Sequence, residues 1–345
     1  MANPVAVGVL FGAAIVALLA TVLAVSGFDV VASFAALWRG AAGSSYAVFS
    51  ATLVRATPLI LAGLAVTLAF KGGILNIGAE GQLLAGAALA TAVSLTLGAR
   101  HGAWALPVAL VAAAAAGGAW ALVPAWLRQR FGVLEVISTI MMNFVALYGV
   151  GYLVRGPLQE PTRAYPQSAS LPEATHLPLL LPGTRLHVGF ALAVAAAALA
   201  WYVVRETAAG FRLRVVGSNP RAAASAARLD VPAVRMRVFL LSGALAGLAG
   251  GVEVTGVTYA LYENLSPGYG YTAIAVALLA GLHPGLVLVS GIFLGALEAG
   301  AAAMQREAGV PLVLVSVVQA LIILAIVGAR AVLDRRAPRA AEVGT

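Results

Sequence analysis

The sequence is divided into long apolar runs, nine of which are about 20 residues in length. A helix needs roughly 20 apolar residues to cross the ~30 Å hydrocarbon core of a bilayer. A tenth run, residues 271–282, is too short to span upright and predicts a half-helix or a steeply packed span. The nine long runs are residues 5–25, 53–70, 75–97, 103–127, 133–154, 188–204, 238–257, 285–304 and 310–329. Together they predict an all-α polytopic membrane protein with about ten transmembrane helices.

The composition excludes most soluble functions. Charged residues make up only 10% of the 345 residues, against about 25% in soluble domains. The absence of cysteine excludes disulfides and thiol catalysis, and four scattered histidines give no reason to expect a metal site. The net charge is +8, but the basic residues lie in short gaps between apolar runs. We therefore expect contact with membrane lipid and no nucleic acid partner.

The sequence carries no catalytic motif. It has no phosphate-binding loop with a lysine, no Ser–His–Asp pattern and no paired metal ligands. The chain is therefore expected to be neither an enzyme nor an ATPase, and to need no cofactor of its own. Energy for transport would come from an ion gradient or from a partner protein.

The basic residues also predict the orientation. If ten segments alternate, 14 of the 21 basic residues fall on one side, which the positive-inside rule assigns to the cytoplasm together with both termini. The first run lacks a basic flank, so it is expected to be a retained helix. Residues 1–330 are predicted to form a single transmembrane domain, with a cytoplasmic tail at 331–345.

Two gaps between the runs are long. Residues 156–187 hold six of the sixteen prolines and predict an irregular external loop. Residues 205–237 hold seven arginines and predict a cytoplasmic loop. Within that loop, residues 221–229 are rich in alanine and follow Pro220, which favours the first turn of a short helix.

A first cluster of polar residues lies within an apolar run. Asn76, Glu80 and Gln82 fall within seven residues, and Asn76 and Glu80 would share one helix face. Gly78 and Gly81 would allow a close backbone approach or a break in the helix. Because a polar group at this depth is unfavourable, we expect these residues to line a transport pathway, with a polar helix contact as the alternative.

A second polar stripe is formed by Glu135, Thr139 and Asn143, which are spaced four residues apart. We expect this stripe to approach the first one and to line the same pathway. An equally weighted alternative for Glu135 is an ion pair with Arg128 or Arg130 near the cytoplasmic end.

Small residues indicate one close helix contact. Gly243, Gly247 and Gly251 recur every four residues on one face. Such spacing lets two helices approach closely in a membrane. These three glycines are therefore predicted to serve helix packing.

Several strings resemble the inner-membrane permeases of ABC importers for nucleosides and simple sugars. The matching strings follow the family order over about residues 55–330: Thr57-Pro58-Leu59-Ile60-Leu61-Ala62-Gly63-Leu64-Ala65-Val66, Asn76-Ile77-Gly78-Ala79-Glu80-Gly81-Gln82, Glu135-Val136-Ile137-Ser138-Thr139-Ile140-Met141-Met142-Asn143, Val216-Gly217-Ser218-Asn219-Pro220-Arg221-Ala222-Ala223, the run from Ser242 to Gly251, and Gly268-Tyr269-Gly270-Tyr271 with the following apolar residues. The second and third strings are the more specific for the nucleoside branch.

The resemblance implies a ten-helix permease of the second importer fold type, with inverted repeats, in the bacterial inner membrane. It implies three protein partners, namely an ATP-binding subunit that uses the ATP, a second homologous permease in a heterodimer, and an external solute-binding lipoprotein. The ATP-binding subunit would dock on residues 219–229. One departure is that Ala227-Arg228-Leu229 lacks the glycine usual in the family, so this contact is expected to differ in detail. The coupling residues implied are Gly217, Asn219, Pro220, Arg221, Ala222, Ala223 and Arg228.

Two other functions remain open at this point. One is a permease for branched-chain amino acids or for another sugar. The other is an ion-coupled secondary transporter that uses buried carboxylates as ion sites. The basic gap at 205–237 favours an importer that docks an ATPase.

Overall fold

The computed structural model describes residues 4–311 together with residues 313, 314, 316, 317, 320, 321, 324 and 328. The described part of the chain is helical, with three isolated antiparallel bridges and no strand. Its α-helices are α1 Pro4–Val25, α2 Val30–Ala41, α3 Ser45–Ala47, α4 Leu53–Lys71, α5 Ala79–His101, α6 Ala105–Phe131, α7 Glu135–Arg155, α8 Gly189–Glu206, α9 Ala208–Ser218, α10 Pro220–Ser225, α11 Val231–Glu253, α12 Tyr269–Leu279 and α13 Pro284–Ala308. A π-helical turn, Val48–Thr52, joins α3 to α4, and a second, Val254–Thr258, extends α11.

Seven helical segments in this part are long and apolar enough to cross a membrane. They are Ser45–Lys71, Ala79–Gly98, Ala105–Phe131, Glu135–Arg155, Gly189–Glu206, Val231–Thr258 and Pro284–Ala308. The prediction of an all-α polytopic membrane protein is thereby confirmed. The predicted run 310–329 lies largely outside the described residues, and the predicted tail 331–345 lies wholly outside them.

Several predicted boundaries are wrong by three residues or more, and three of them bear on the site. α5 begins at Ala79 rather than at residue 75, because Gly73 has φ 73° and ends the preceding helix. α11 begins at Val231 rather than at residue 238, because the Asp230 carboxylate caps it by accepting a hydrogen bond from Ala233 N at 3.0 Å. α12 ends at Leu279, three residues before the predicted end.

Two helices, α2 and α9, are not predicted by the search for long apolar runs because they have only 12 and 11 residues. α2 begins where Asp29 accepts a hydrogen bond from Ala32 N at 2.9 Å. α9 begins where the Thr207 hydroxyl accepts one from Gly210 N at 3.2 Å. Side-chain caps of this kind satisfy N–H groups that a helix cannot satisfy itself.

Close contacts group the described residues in two compact units. The larger unit is Phe49–Gly295, and the smaller one combines Met1–Val48 with Ala296–Thr345. The single-domain prediction for residues 1–330 stays a prediction. In the smaller unit, Leu23, Ala36 and Met304 are buried together.

The core of the larger unit is formed by α4, α5, α6 and α11. The predicted packing glycines lie on α11, and a Cβ at Gly243 would overlap the Gly117 carbonyl oxygen on α6. A Cβ at Gly247 would likewise overlap the Ala113 carbonyl oxygen. A Cβ at Gly251 would lie 2.5 Å from the Ala113 Cβ. The helix backbones are therefore in direct contact along this face.

Residues 156–187 form an irregular segment whose longest helical element is the single 3₁₀ turn Glu173–Thr175. Backbone hydrogen bonds fix the segment to the chain that follows α11. Ser168 N donates to Leu261 O at 2.8 Å, and Leu177 N donates to Thr255 O at 2.9 Å. The segment is therefore held against the helical core along its length.

Candidate functional site

The chain is not helical between α4 and α5, and this break places Asn76 in the core. The Asn76 side-chain Oδ1 accepts a hydrogen bond from Gly78 N at 2.9 Å, and its Nδ2 donates to Ser242 Oγ at 2.9 Å. Gln82 exchanges two hydrogen bonds with Asn76, at 3.0 and 3.2 Å. The prediction that Asn76 and Glu80 share a helix face is wrong, because Asn76 precedes the first turn of α5 and its side chain caps the turn that the glycines create.

The polar face of α7 supports the same break. The Thr139 hydroxyl accepts a hydrogen bond from Ile77 N at 3.3 Å. Asn143 Nδ2 donates to Ile77 O at 2.9 Å, and its Oδ1 accepts from Gly81 N at 2.8 Å. The structure therefore brings the two predicted stripes together, with Thr139 and Asn143 supplying partners for backbone groups that no helix satisfies.

Glu80 joins the first turn of α5 to the first turn of α12. Its Oε2 accepts a hydrogen bond from Gly270 N at 2.7 Å. A Cβ at Gly270 would overlap the Glu80 backbone nitrogen, so only glycine permits this approach. A carboxylate is stabilised at a helix N-terminus by the helix dipole and by unsatisfied N–H groups. Glu80 occupies two such termini at once.

The meeting point lies beside the interior of two long helices, because Thr139 and Asn143 are the fifth and ninth residues of α7 and Ser242 is the twelfth of α11. α12 has 11 residues, which corresponds to about 16 Å at 1.5 Å per residue, or half of a ~30 Å hydrocarbon core. Irregular backbone at such depth is stable only where protein or an internal cavity surrounds it. The polar side chains of the break provide that surrounding.

The polar cluster is closed in this conformation. Asn76 and Thr139 are fully buried, and Glu80 is the most accessible member at 7% exposure. Each side chain of the cluster has a hydrogen-bond partner in the described part of the chain. The cluster members are Asn76, Glu80, Gln82, Thr139, Asn143 and Ser242.

Glu135 does not belong to this cluster. Its Oε2 forms an ion pair with Arg128 Nη1 at 2.8 Å, at the turn between α6 and α7. The ion pair with Arg128 that was the alternative for Glu135 is therefore present in the structure. No group of three metal-ligating side chains occurs among the residues searched, which are the described ones.

Sequence reasoning did not connect Ser242, Gly270 or Tyr271 with this cluster. Ser242 Oγ donates to Ala65 O at 2.8 Å, and the Tyr271 hydroxyl accepts a hydrogen bond from Asn143 Nδ2 at 3.2 Å. All three lie in strings that carry the family resemblance. That resemblance is the signal that could have singled them out.

The predicted coupling segment folds as two short helices. α10 begins at Pro220, as predicted, with Asn219 Oδ1 accepting a hydrogen bond from Ala222 N at 3.0 Å. It ends at Ser225, four residues before the predicted end. Ala223 is buried, whereas Ala222 is exposed.

Two further residues of the predicted coupling set, Gly217 and Arg228, have distinctive backbones. A Cβ at Gly217 would overlap the Lys71 carbonyl oxygen, so α9 contacts the end of α4 directly. Arg228 has φ 49°, a left-handed conformation that favours glycine. The missing family glycine at this position is therefore a point of backbone strain.

His187 is a buried titratable residue outside the polar cluster. The side chain is fully buried beside Gly189 and Gly256, and neither ring nitrogen has a hydrogen-bond partner within the described residues. Burial, with a smaller effect of the Arg185 charge, lowers the pKa of His187 to about 4. The ring is therefore neutral at physiological pH.

Comparison with known proteins identifies the family. The family described as the permease component of the branched-chain amino acid transport system matches residues 48–327. The guanosine ABC transporter permease protein NupP of Bacillus subtilis is 41% identical over 91% of this chain and 90% of its own length. The glucose ABC transporter permease protein TsgB13 of Haloferax volcanii is 43% identical over 79% of this chain and 74% of its own.

A third relative, the nucleoside ABC transporter permease protein NupB of Lactococcus lactis, is 28% identical over 88% of this chain and 85% of its own. No solved structure gives a significant match. With its membrane-spanning helices and a match over residues 48–327, the chain belongs to the family of ABC transporter permease components.

Proposed function

We propose that the protein is the membrane-spanning permease of an ATP-driven importer that passes a nucleoside, or a simple sugar, through the bacterial inner membrane. The observation that carries this proposal is the 41% identity to a permease named for guanosine, over 91% of the chain. A second relative, 43% identical, is named for glucose. Nucleosides and sugars are both neutral and rich in hydrogen-bonding groups, so one chemical class covers both.

The geometry around Glu80 supports a neutral solute. In transporters with broken helices, the N-termini of half-helices commonly bind an anionic group of the substrate. Here the N-terminus of α12 is already occupied by the carboxylate of Glu80, a residue in the first turn of α5. A second carboxylate at the same place would be repelled, which disfavours an amino acid as the solute at this site.

The route itself is part of the proposal. Two helix breaks are surrounded by Asn76, Glu80, Gln82, Thr139 and Asn143, and transporters commonly build their solute sites at such breaks. We propose that this cluster borders the route in a closed state and becomes accessible during transport. Glu135 would lie at the cytoplasmic end, where its ion pair with Arg128 is formed.

The orientation rests on charge. Alternation of the spans from Ser45–Lys71 to Val231–Thr258 puts Lys71, Arg128 and the basic segment 205–237 on one side, which the positive-inside rule makes cytoplasmic. Both termini would lie on that side in a ten-helix permease of the second importer fold type with inverted repeats. Residues 156–187 would then be external.

The proposed importer contains three protein partners of this chain. An ATP-binding subunit would dock on α9 and α10, with Gly217, Asn219, Pro220, Arg221, Ala222, Ala223 and Arg228 forming or supporting the contact. A second homologous permease is supported by the guanosine permease protein NupQ of Bacillus subtilis, which is 30% identical over 71% of this chain. An external lipoprotein would deliver the solute to residues 156–187, whose tip exposes Leu179, Leu180 and Leu181.

The test is uptake into proteoliposomes that hold both permeases, the ATP-binding subunit and the lipoprotein. We expect ATP-dependent uptake of guanosine or glucose without an ion gradient. Uptake driven by a proton or sodium gradient alone would contradict the importer and support an ion-coupled carrier. Replacing the tip leucines with serine should raise the lipoprotein concentration needed for half-maximal uptake.

The description of the matched family supports a second candidate, a permease for branched-chain amino acids. The same vesicles decide between the two when leucine is offered in place of guanosine and glucose. Uptake of leucine alone would establish the amino acid function and would contradict the argument from Glu80.

A further inference from the structure

A shallow surface cavity of about 320 Å³ lies where α7 ends and residues 156–187 begin. Charged groups and glycines line it together with two phenol rings, which is unusual in a chain with only 10% charged residues. The lining residues are Tyr148, Gly151, Tyr152, Arg155, Gly156 and Glu263. The cavity is separate from the polar cluster at the helix breaks.

The cavity is built by one face of α7. Tyr148, Tyr152 and Arg155 are spaced i, i+4 and i+7, so they lie above one another on the helix. Arg155 Nη2 forms an ion pair with Glu263 Oε2 at 2.8 Å. A Cβ on Gly151 would lie 2.9 Å from Glu263 Oε1, so the carboxylate rests directly against α7 at this glycine.

Two simpler explanations account for only part of this arrangement. An interfacial aromatic belt explains exposed tyrosines, and Tyr148 and Tyr152 are 74% and 72% exposed. It does not explain why the two rings adjoin an ion pair in one cavity. Exposed ion pairs contribute little to stability, so a purely structural role gives weak reason for the Arg155–Glu263 pair.

The chemistry of the lining indicates what the cavity binds. The charges of Arg155 and Glu263 cancel, yet the pair still offers donors on one side and acceptors on the other. Tyrosine rings next to this pair offer flat faces for stacking, which every nucleobase can use. The volume lies at the lower end of the ~300–1,000 Å³ typical of small-molecule sites, which suits a single nucleoside.

We propose that this cavity is an outer solute subsite, in which a nucleoside stacks on Tyr148 or Tyr152 and hydrogen-bonds to Arg155 and Glu263. The subsite rests on the proposed import function and adds to it the residues that first receive the solute. It lies on the side that the charge distribution makes external, next to the segment proposed to meet the lipoprotein.

Uptake of guanosine by the complete complex in proteoliposomes tests the subsite. Tyr152→Leu, which removes the aromatic face, should lower the rate at saturating lipoprotein by about fivefold or more, while Tyr152→Phe should retain most of it. Tyr202→Leu is the matched control, because Tyr202 is 54% exposed on α8, outside the cavity. Equal rates for Tyr152→Leu and Tyr202→Leu would overturn the subsite.

The ion pair allows a sharper test. Exchanging its charges, with Arg155→Glu and Glu263→Arg together, keeps the pair but reverses its donors and acceptors. We expect the double variant to remain as slow as Glu263→Gln alone. Full recovery of uptake would mean that the pair is only structural and would overturn the proposal.

Photolabelling separates failure of the subsite from failure of the import function. The two permeases, in lipid nanodiscs without ATP, are irradiated with 8-azidoguanosine. Label should enter the α7 peptide and be displaced by excess guanosine, but should be lost in Tyr152→Leu. Labelling of this peptide supports the subsite even if vesicle uptake fails. A peptide without displaceable label overturns the subsite even in a complex that transports guanosine.

Discussion

The Glu80 carboxylate accepts a hydrogen bond from Gly270 N at 2.7 Å, although the two residues are 190 positions apart in the chain. This contact joins the N-termini of α5 and α12 and gives an acidic side chain a stable place in the core of the larger unit. It also ties together the two segments where the chain leaves the helical conformation. Glu80 is therefore the residue that links the two breaks.

Replacing Glu80 distinguishes its hydrogen bond from its charge. Glu80→Gln keeps an acceptor for Gly270 N, whereas Glu80→Leu leaves a buried N–H without a partner, a loss of about 1–3 kcal/mol in the free energy of unfolding. We expect thermal unfolding in detergent and ATP-driven uptake to be impaired less by Gln than by Leu. If the protein were an ion-coupled carrier, loss of the charge alone would matter, and Glu80→Gln would abolish transport outright. Normal uptake by Glu80→Leu would contradict a role in the pathway.

The polar stripes show how far the sequence leads. The four-residue spacing of Thr139 and Asn143 indicates one helix face, and both side chains do meet the segment that contains Asn76. Hydropathy gives no information about a partner 190 residues away, so Gly270 could not be assigned to Glu80. The apolar run from residue 75 predicts a helix at Asn76. In the structure the positive φ of Gly73 and the hydrogen bond from Gly78 N to the Asn76 side chain determine the local backbone instead.

Other features depend on contacts that composition does not encode. The spacing of Gly243, Gly247 and Gly251 indicates a close contact, but not that α6 supplies the opposing backbone. Burial of His187 follows from how residues 156–187 are fixed to the core, and a single histidine in a proline-rich gap gives no sign of it. At Arg228 the sequence did point to a local departure from the family, because the usual glycine is absent. That departure was expected to affect the contact with the ATP-binding subunit, and its effect on the backbone is seen only in the structure.

A tightly packed glycine on α11 and an open one on α7 should respond in opposite ways to substitution by alanine. Gly247→Ala puts a Cβ into the backbone of α6, and we expect a loss of about 1–3 kcal/mol in the free energy of unfolding. Gly149→Ala on α7 is the control, because a Cβ there meets nothing within 4 Å. Its higher helix propensity should raise stability by up to about 1 kcal/mol. Thermal unfolding of the two variants in one detergent measures the difference.

The left-handed backbone of Arg228 predicts that glycine is preferred there. Arg228→Gly removes a strain of about 1–2 kcal/mol and should raise the unfolding temperature. Arg221→Gly is the matched control, because Arg221 lies within α10, where glycine is unfavourable by about 1 kcal/mol. A lower unfolding temperature for Arg228→Gly would contradict the backbone described here.

His187 predicts a dependence of stability on acid. Its pKa is about 4 in the fold and about 6.5 in the unfolded chain. Only the unfolded state takes up a proton between these values, so stability is complete above pH 6.5 and falls as the pH drops towards 4. The loss should approach about 3 kcal/mol, from 1.36 kcal/mol per unit. His187→Phe should remove this part of the pH dependence, as measured by unfolding between pH 4 and 7.

The coupling segment allows docking to be tested without damage to the fold. Ala223 is fully buried, so a larger side chain there would disturb the packing of α10 and confuse the result. Ala222, which is exposed, can accept leucine within the isolated permease. If α10 sits in a groove of the ATP-binding subunit, Ala222→Leu should reduce uptake and solute-stimulated ATP hydrolysis together, with an unchanged unfolding temperature for the permease alone. Ala198→Leu, an exposed alanine on α8, is the control and should leave both activities intact. Wild-type coupling in Ala222→Leu would place the ATPase contact elsewhere on the permease.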